Sequence, residues 1–233
     1  MDFTLNDEQR MIYGYGEKLA RTWGHDYWMD KARKHEFPRE MWQQMADDGF
    51  LGAMIPEEYG GAGLGMMEMT LLMEGMSNAG IPMLMLVVGP TMSLAPIADH
   101  GTDDQKQRWL PAACRGESNF CFAITEATAG TNSIKINTLA KPHEDRFLLS
   151  GSKTFITGAD VCDYAIVVAR TTPHTEVKRK TDGFTLFVVD LNAKGVERHP
   201  VNINLPIPET QFSIFFDEVD LGLENVIGEV GKG

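Results

Sequence analysis

The stretch F-A-I-T-E-A-T-A-G-T, from Phe122 to Thr131, and its companion K-T-F-I-T-G, from Lys153 to Gly158, decide how this chain reads. The first ends in Ala129-Gly130-Thr131. A glycine there lets backbone N–H groups come close to a phosphate, and the threonine hydroxyl adds a further donor. The second places an aromatic ring, Phe155, two residues before a hydroxyl, Thr157. On a regular strand, residues i and i+2 project to the same side, so ring and hydroxyl are expected to meet one flat ligand together. A planar ring with a diphosphate tail, the shape of a flavin dinucleotide, needs both parts.

Outward from these segments the chain divides in two. Ahead of Ser118 the periodicity is helical. Asn6 and Gln9 form a start signal before Met11, Ile12, Tyr15, Leu19 and Trp23, which recur at helical spacing. Pro38 opens a second helix carrying Met41, Trp42 and Met45, and Gly49 ends it. Met66 to Asn78 is a third. Thr102 with Gln105 makes a capping box ahead of Trp109 and Leu110, closed by Gly116. The most apolar stretch, Ile81 to Ala98, is broken by Pro90 and Pro96, and it reads as a buried helix pair rather than a membrane span.

After Ser118 the pattern alternates. Phe120, Phe122 and Ile124; Phe147 and Leu149; Ile166 to Val168; Phe184 to Val189; and Phe212 to Phe216 are short β-branched and aromatic runs between turn residues. The expected fold is therefore α+β: a helical domain over residues 1–117, then a β-barrel or sandwich over 118–233.

The two segments resemble the flavin motifs of the acyl-CoA dehydrogenase family, aromatic-x-x-T-E-P-x-A-G-S-D and W/F-I-T-N/G. The opening M-D-F-T-L-N-D-E-Q-R, the loop P-E-E-Y-G-G-A-G-L-G from Pro56 to Gly65 and the stretch F-F-D-E-V near Phe216 match in kind and order. The resemblance implies FAD as cofactor, with Phe122, Ala123, Ile124 and Thr125 on its pyrimidine side and Gly130 and Thr131 at the diphosphate. Thr131 would also stand near the pantetheine arm of the substrate, Phe155 would cover the ring, Ile156 would touch its rim, and Thr157 would bond N5 or O4. It implies α,β-dehydrogenation of an acyl-CoA thioester, an electron-transfer flavoprotein or similar acceptor, and assembly as a tetramer or dimer. In the family the carboxylate that takes the α-proton lies in a C-terminal four-helix domain. That base is expected beyond Gly233, so the chain reads as an N-terminal fragment that lacks activity alone. Here A-T-A-G-T-N replaces the usual P-G-A-G-S-D, an exchange that removes a proline, a glycine and an acidic charge at Asn132. Glu126, a tempting base, is expected instead to hold its loop in shape. Alternatives within the fold are a flavin oxidase or monooxygenase; outside catalysis, an inactive scaffold.

A net charge of -12 over 233 residues opposes nucleic acid as a partner. Coenzyme A is itself a polyanion, and Lys135, Lys141 and the run Lys178-Arg179-Lys180 are the candidate charges for it, although that run also reads as a solvated loop. Cys114, Cys121 and Cys162 have neither disulfide nor zinc spacing, and the six histidines show no metal spacing, so no metal is expected. The cysteines and an N-terminus without a signal-peptide pattern lead to a cytoplasmic expectation. Eleven of the fourteen methionines crowd residues 41–92, where core packing is expected of them. Gly60, Gly61, Gly63 and Gly65 look like a phosphate loop by composition, but a flexible connector is the better reading.

Overall fold

A computed structural model describes residues 4–233; Met1, Asp2 and Phe3, part of the opening motif quoted above, lie outside the described residues. Six α-helices fill the first half: α1 (Asp7–Trp23), α2 (His25–Lys34), α3 (Arg39–Asp47), α4 (Met66–Asn78), α5 (Ala95–His100) and α6 (Asp103–Cys114). The start signals are real capping boxes. The Asn6 side chain accepts from Gln9 N while Gln9 reaches back to Asn6 N, and Thr102 and Gln105 do the same. Helix α2 escaped the periodic reading because only Trp28 and Ala32 are fully buried on it, one turn apart on a mostly polar segment. α1 and α4 cross through a glycine on each helix. A Cβ on Gly16 would lie 2.4 Å from Leu72 O, and one on Gly75 would lie 2.3 Å from Tyr13 O, so neither position tolerates a side chain.

From Met85 onward the apolar stretch is a single helical run rather than a pair. A π-helical segment, Val87–Leu94, contains Pro90 and continues without a break into α5. Proline removes one backbone donor and crowds the preceding turn; widening that turn absorbs it. Hydroxyls then serve the loosened carbonyls: Thr91 Oγ1 donates to Leu86 O at 3.2 Å and Ser93 Oγ to Val88 O at 2.6 Å. The glycine connector is packed rather than flexible. Ala62 N donates to Gly52 O, Gly63 N to Ile55 O and Leu64 N to Ala53 O, and a Cβ on Gly61 would fall 2.0 Å from Ile55 O.

The second half is one eight-stranded sheet built of β1 (Phe120–Ala123), β2 (Leu139–His143), β3 (Arg146–Thr157), β4 (Tyr164–Arg170), β5 (Phe184–Asp190), β6 (Val196–Val201), β7 (Gln211–Leu221) and β8 (Val226–Ile227). Its order is β6-β7-β3-β2-β4-β5-β8, with β1 parallel to β4. β2 and β4 meet at a single bridge, Leu139 with Arg170. In a flat sheet β3 and β5 would lie three strand spacings, about 14 Å, apart, yet the Phe147 and Phe187 rings are 5.4 Å apart. The sheet therefore folds over on itself, and its halves enclose a core that includes Leu149, Val167, Phe187 and Ile214. That core runs on into the helices through Met45, Leu72 and Met85. Trp42 Nε1 donating to Asn119 Oδ1 (2.9 Å) and Gln105 Nε2 donating to Val226 O (2.7 Å) fasten the two halves. Six of the methionines, Met41, Met45, Met69, Met76, Met83 and Met85, are buried there, while Met66, Met67 and Met92 are exposed.

Candidate functional site

The first motif begins on β1 and leaves it at Ile124. The chain then makes a tight turn: Glu126 N donates to Ala129 O and Ala129 N to Glu126 O, both at 3.1 Å, which throws Ala127 and Thr128 outward. Gly130 and Thr131 follow, exposed, and a Cβ on Gly130 would meet nothing within 4 Å. The loop thus presents open backbone where a phosphate could approach.

The second motif is the end of β3, and the fold lays it beside the first. Thr154 N donates to Thr125 O at 2.9 Å, and Lys153 Nζ donates to Ile124 O at 3.0 Å. The lysine also pairs with Glu126 Oε1 at 3.0 Å. Glu126 is then fully committed, since it accepts from Asn137 N (2.7 Å) and Thr138 N (2.9 Å) as well. Burial raises the pKa of its carboxyl, but those backbone donors and the Lys153 cation outweigh burial and leave it below the usual value. Burial pulls Lys153 down to about 8, against the opposing pull of Glu126. A carboxylate so tied holds its loop in shape and is no free base.

The same-side expectation for Phe155 and Thr157 does not hold. The register of β3 against β7 shifts between Lys153 and Ile156, and Phe155 takes φ 57°, a left-handed conformation rare for an aromatic residue. The bulge turns Phe155 out to 56% exposure and leaves Thr157 buried. Thr157 Oγ1 lies 2.9 Å from Gln211 Nε2 and 3.1 Å from Gln211 Oε1 on β7. The Gln211 amide N–H donates to Oγ1 and the hydroxyl donates to Gln211 Oε1, so the Gln211 amide fixes the hydroxyl in place. Phe122 is half-buried, Ala123 and Ile156 are buried, and Ile124 and Thr125 are half-buried between the motifs.

Lys153 and Gln211 were missing from the sequence reading as site residues. The signal for Lys153 was present: Phe147, Leu149 and Lys153 share one parity of β3, so the lysine falls on the buried side and needs a partner. Gln211 has no such signal, because only strand pairing puts it opposite Thr157.

Behind the phosphate-like loop runs a cleft of about 440 Å³, lined by Thr128, Lys135, Asn137, Arg170, His174 and Thr175 among others. Arg170 is buried over the Phe184 ring and donates to the carbonyls of Ile134, Ile136, Lys180 and Asp182, which ties the loop after β4 to the loop after the first motif. Lys141 stands away on β2, and Lys178, Arg179 and Lys180 are exposed. The three cysteines are free and buried. Among the described residues there is no cluster of metal-ligating side chains and no helix long and apolar enough to cross a membrane.

Two family models match most of the chain. Residues 6–117 match the family model "Acyl-CoA dehydrogenase, N-terminal domain" and residues 121–219 the model "Acyl-CoA dehydrogenase, middle domain". Acyl-CoA dehydrogenase FadE12 of Mycobacterium tuberculosis is 43% identical over 226 residues, 97% of this chain and 58% of its own length. A chain in a structure of the electron transferring flavoprotein of Acidaminococcus fermentans superposes with TM-score 0.89 at 28% identity, covering 100% of this chain and 61% of that one. An acyl-CoA dehydrogenase complexed with FAD from Bacillus anthracis gives TM-score 0.86 at 26% identity, covering 98% and 39%. The chain thus spans little more than half the length of the curated relative.

Proposed function

Because this chain belongs to the acyl-CoA dehydrogenase family, we propose that it supplies the FAD-binding part of an enzyme that oxidises the Cα–Cβ bond of an acyl-CoA thioester. The observation that carries this reading is the joining of the two motifs: Thr154 to Thr125 and Lys153 to Ile124 and Glu126 make one rigid edge from segments distant in sequence. The residues present fit the cofactor. Gly130 and Thr131 offer an open backbone for a diphosphate, Phe155 an exposed aromatic face, and Thr157 a hydroxyl oriented by Gln211.

FAD, when bound, supplies the hydride acceptor; the protein supplies position and electrostatics. In this reading Phe155 stacks on the ring, and the Thr157 hydroxyl, turned from Gln211 Oε1, donates to its N5 or O4 edge. Phe122, Ala123, Ile124, Thr125 and Ile156 line the remaining rim, and Thr131 serves both the diphosphate and the pantetheine arm. The cleft beside Lys135 and His174 receives anionic groups of coenzyme A. An α-C–H of a thioester is a poor acid in water, so a carboxylate must lie within hydrogen-bond reach of it. Glu126, tied to Lys153 and two backbone donors, is not free to be that carboxylate, and the family resemblance assigns the role to a C-terminal helical domain. An electron-transferring flavoprotein as reoxidant and a homo-oligomeric holoenzyme complete the proposal.

Titration of FAD into the purified protein, followed by quenching of flavin fluorescence, tests the cofactor assignment. The expected result is saturable quenching that weakens in Phe155→Ala. Absence of quenching in this chain and also in a longer protein containing it overturns the reading. Steady turnover of acyl-CoAs by residues 1–233 with an artificial acceptor overturns the assignment of the base.

A further inference from the structure

Thr157 and Gln211 face each other across the β3–β7 ladder, whose register resumes at Ile156 with Phe212 after the bulge. Each is 5% exposed. Their side chains close a two-bond ring: Gln211 Nε2 donates to Thr157 Oγ1 at 2.9 Å, and the hydroxyl donates to Gln211 Oε1 at 3.1 Å. The entrance to β7 is pinned on either side of the pair. Gly158 N donates to Thr210 O at 2.9 Å, and the Glu209 carboxyl, 3% exposed, accepts from Met85 N at 3.1 Å. Among the described residues no other side chain bonds to the Thr157 hydroxyl.

Stability does not require this arrangement, since two facing polar groups can be exchanged for apolar groups of the same shape at little cost. What the pair adds is an alternative direction for one proton. A threonine hydroxyl donates once and accepts as well, and the β-branched side chain holds Oγ1 in place while the O–H turns. Gln211 Oε1 is an acceptor for that proton, and the Nε2 N–H keeps hold of the oxygen whichever way the proton points.

The alternative matters where Thr157 meets flavin N5, the reading proposed above, on which this inference rests. N5 of an oxidised flavin carries a lone pair and accepts a hydrogen bond. When the Cβ–H bond of the substrate breaks and the hydrogen arrives at N5 with its electron pair, that nitrogen bears an N–H and becomes a donor. A hydroxyl proton still aimed at it would set donor against donor. We infer that Gln211 is a positioning residue for the flavin, whose Oε1 receives the Thr157 hydroxyl proton when N5 turns from acceptor to donor. The O–H only rotates, and no bond within the threonine breaks. Oγ1 then accepts from N5 and from Nε2 while donating to Oε1, so each buried polar group has a partner.

The bond from Nε2 is present in both redox states and cancels. The bond to Oε1 belongs to the reduced state, so Gln211 raises the reduction potential by acting through Thr157. Gln211→Met removes the acceptor at similar length. It should shift the equilibrium about three- to tenfold toward the oxidised form, a fall of about 15–30 mV for a two-electron couple.

The test measures the two-electron reduction potential of the FAD-loaded protein, this chain or a longer one that contains it, for wild type, Gln211→Met, Thr157→Val and the double variant. Gln211→Met should lower the potential in the wild-type background and leave it unmoved in the Thr157→Val background, a pattern that a merely structural role does not produce. If Gln211→Met does not fold, Gln211→Asn, which draws the amide back by one methylene, should give the same fall. A wild-type potential in these variants, or an equal fall in the Thr157→Val background, overturns the inference and leaves FAD binding standing. Failure of the wild type to bind FAD, in this chain and in the longer protein, overturns the flavin reading and the inference with it.

Discussion

Replacing Lys153 by methionine tests the joint between the two motifs. Methionine keeps most of the length and apolar stem of lysine, so the variant removes chiefly the cation. In the native fold the Lys153 side chain is fully buried and that of Glu126 is 7% exposed, with 3.0 Å between Nζ and Oε1. Removing one member of a buried pair leaves an uncompensated charge, at a cost of about 3–5 kcal/mol. Glu126 keeps its bonds from Asn137 N and Thr138 N, which places the expectation at the lower end, about 3 kcal/mol. A domain is stable by only about 5–15 kcal/mol, so this loss is readily measured by urea unfolding. The double variant Lys153→Met/Glu126→Gln removes the stranded charge and should recover most of the loss, since neutral replacements of buried pairs are often tolerated. Its coupling energy should reach about 1–3 kcal/mol. FAD affinity should fall in both variants, because each loses the bond from Lys153 Nζ to the Ile124 carbonyl. A loss below about 1 kcal/mol in Lys153→Met, or a double variant as unstable as the sum of its parts, would refute the clamp.

Glu209 makes a prediction with a sign. Its folded pKa, about 7, lies above the unfolded value of 4.5, so the stability it contributes is complete below pH 4.5 and is lost as pH rises through 7. At about 1.36 kcal/mol per pH unit the loss is about 3 kcal/mol, and the difference between wild type and Glu209→Gln across pH 4.5–7 should show it; parallel curves would count against it. Phe155→Gly relieves the left-handed strain, so it should raise the stability of the cofactor-free protein by about 1 kcal/mol while weakening FAD binding. If both fall together, Phe155 is packing rather than presenting a face. Thr157→Val strands the buried Gln211 amide at a cost of about 1–3 kcal/mol and should lower the flavin reduction potential; equal potentials would remove Thr157 from the flavin edge. Gly61→Ala should cost about 3 kcal/mol in chemical denaturation, and a neutral result would mean that the connector yields after all.

The sequence by itself determined the helical half and the β-rich half, because caps, periodicity and turn residues act over a few neighbours. Asn6 with Gln9 and Thr102 with Gln105 close their boxes within one turn, and Met66–Asn78 is the helix that its spacing predicts. What the tertiary structure decided depends on partners far away in the chain. Pro90 is absorbed into one continuous helix because hydroxyls one π-turn later take the loosened carbonyls, where local reasoning saw a break. Phe155 and Thr157 part company because β3 shifts register against β7, and two residues of a strand share a face only while the ladder stays regular. Gln211 reaches Thr157 and Glu209 reaches Met85 only once β7 is in place, 54 and 124 positions from their partners. Lys153 lies between the two cases. Its parity placed it inside, but only the folded chain brought Glu126 to meet it, since alternation along a regular stretch of strand sets the side a residue faces while tertiary packing sets what waits there.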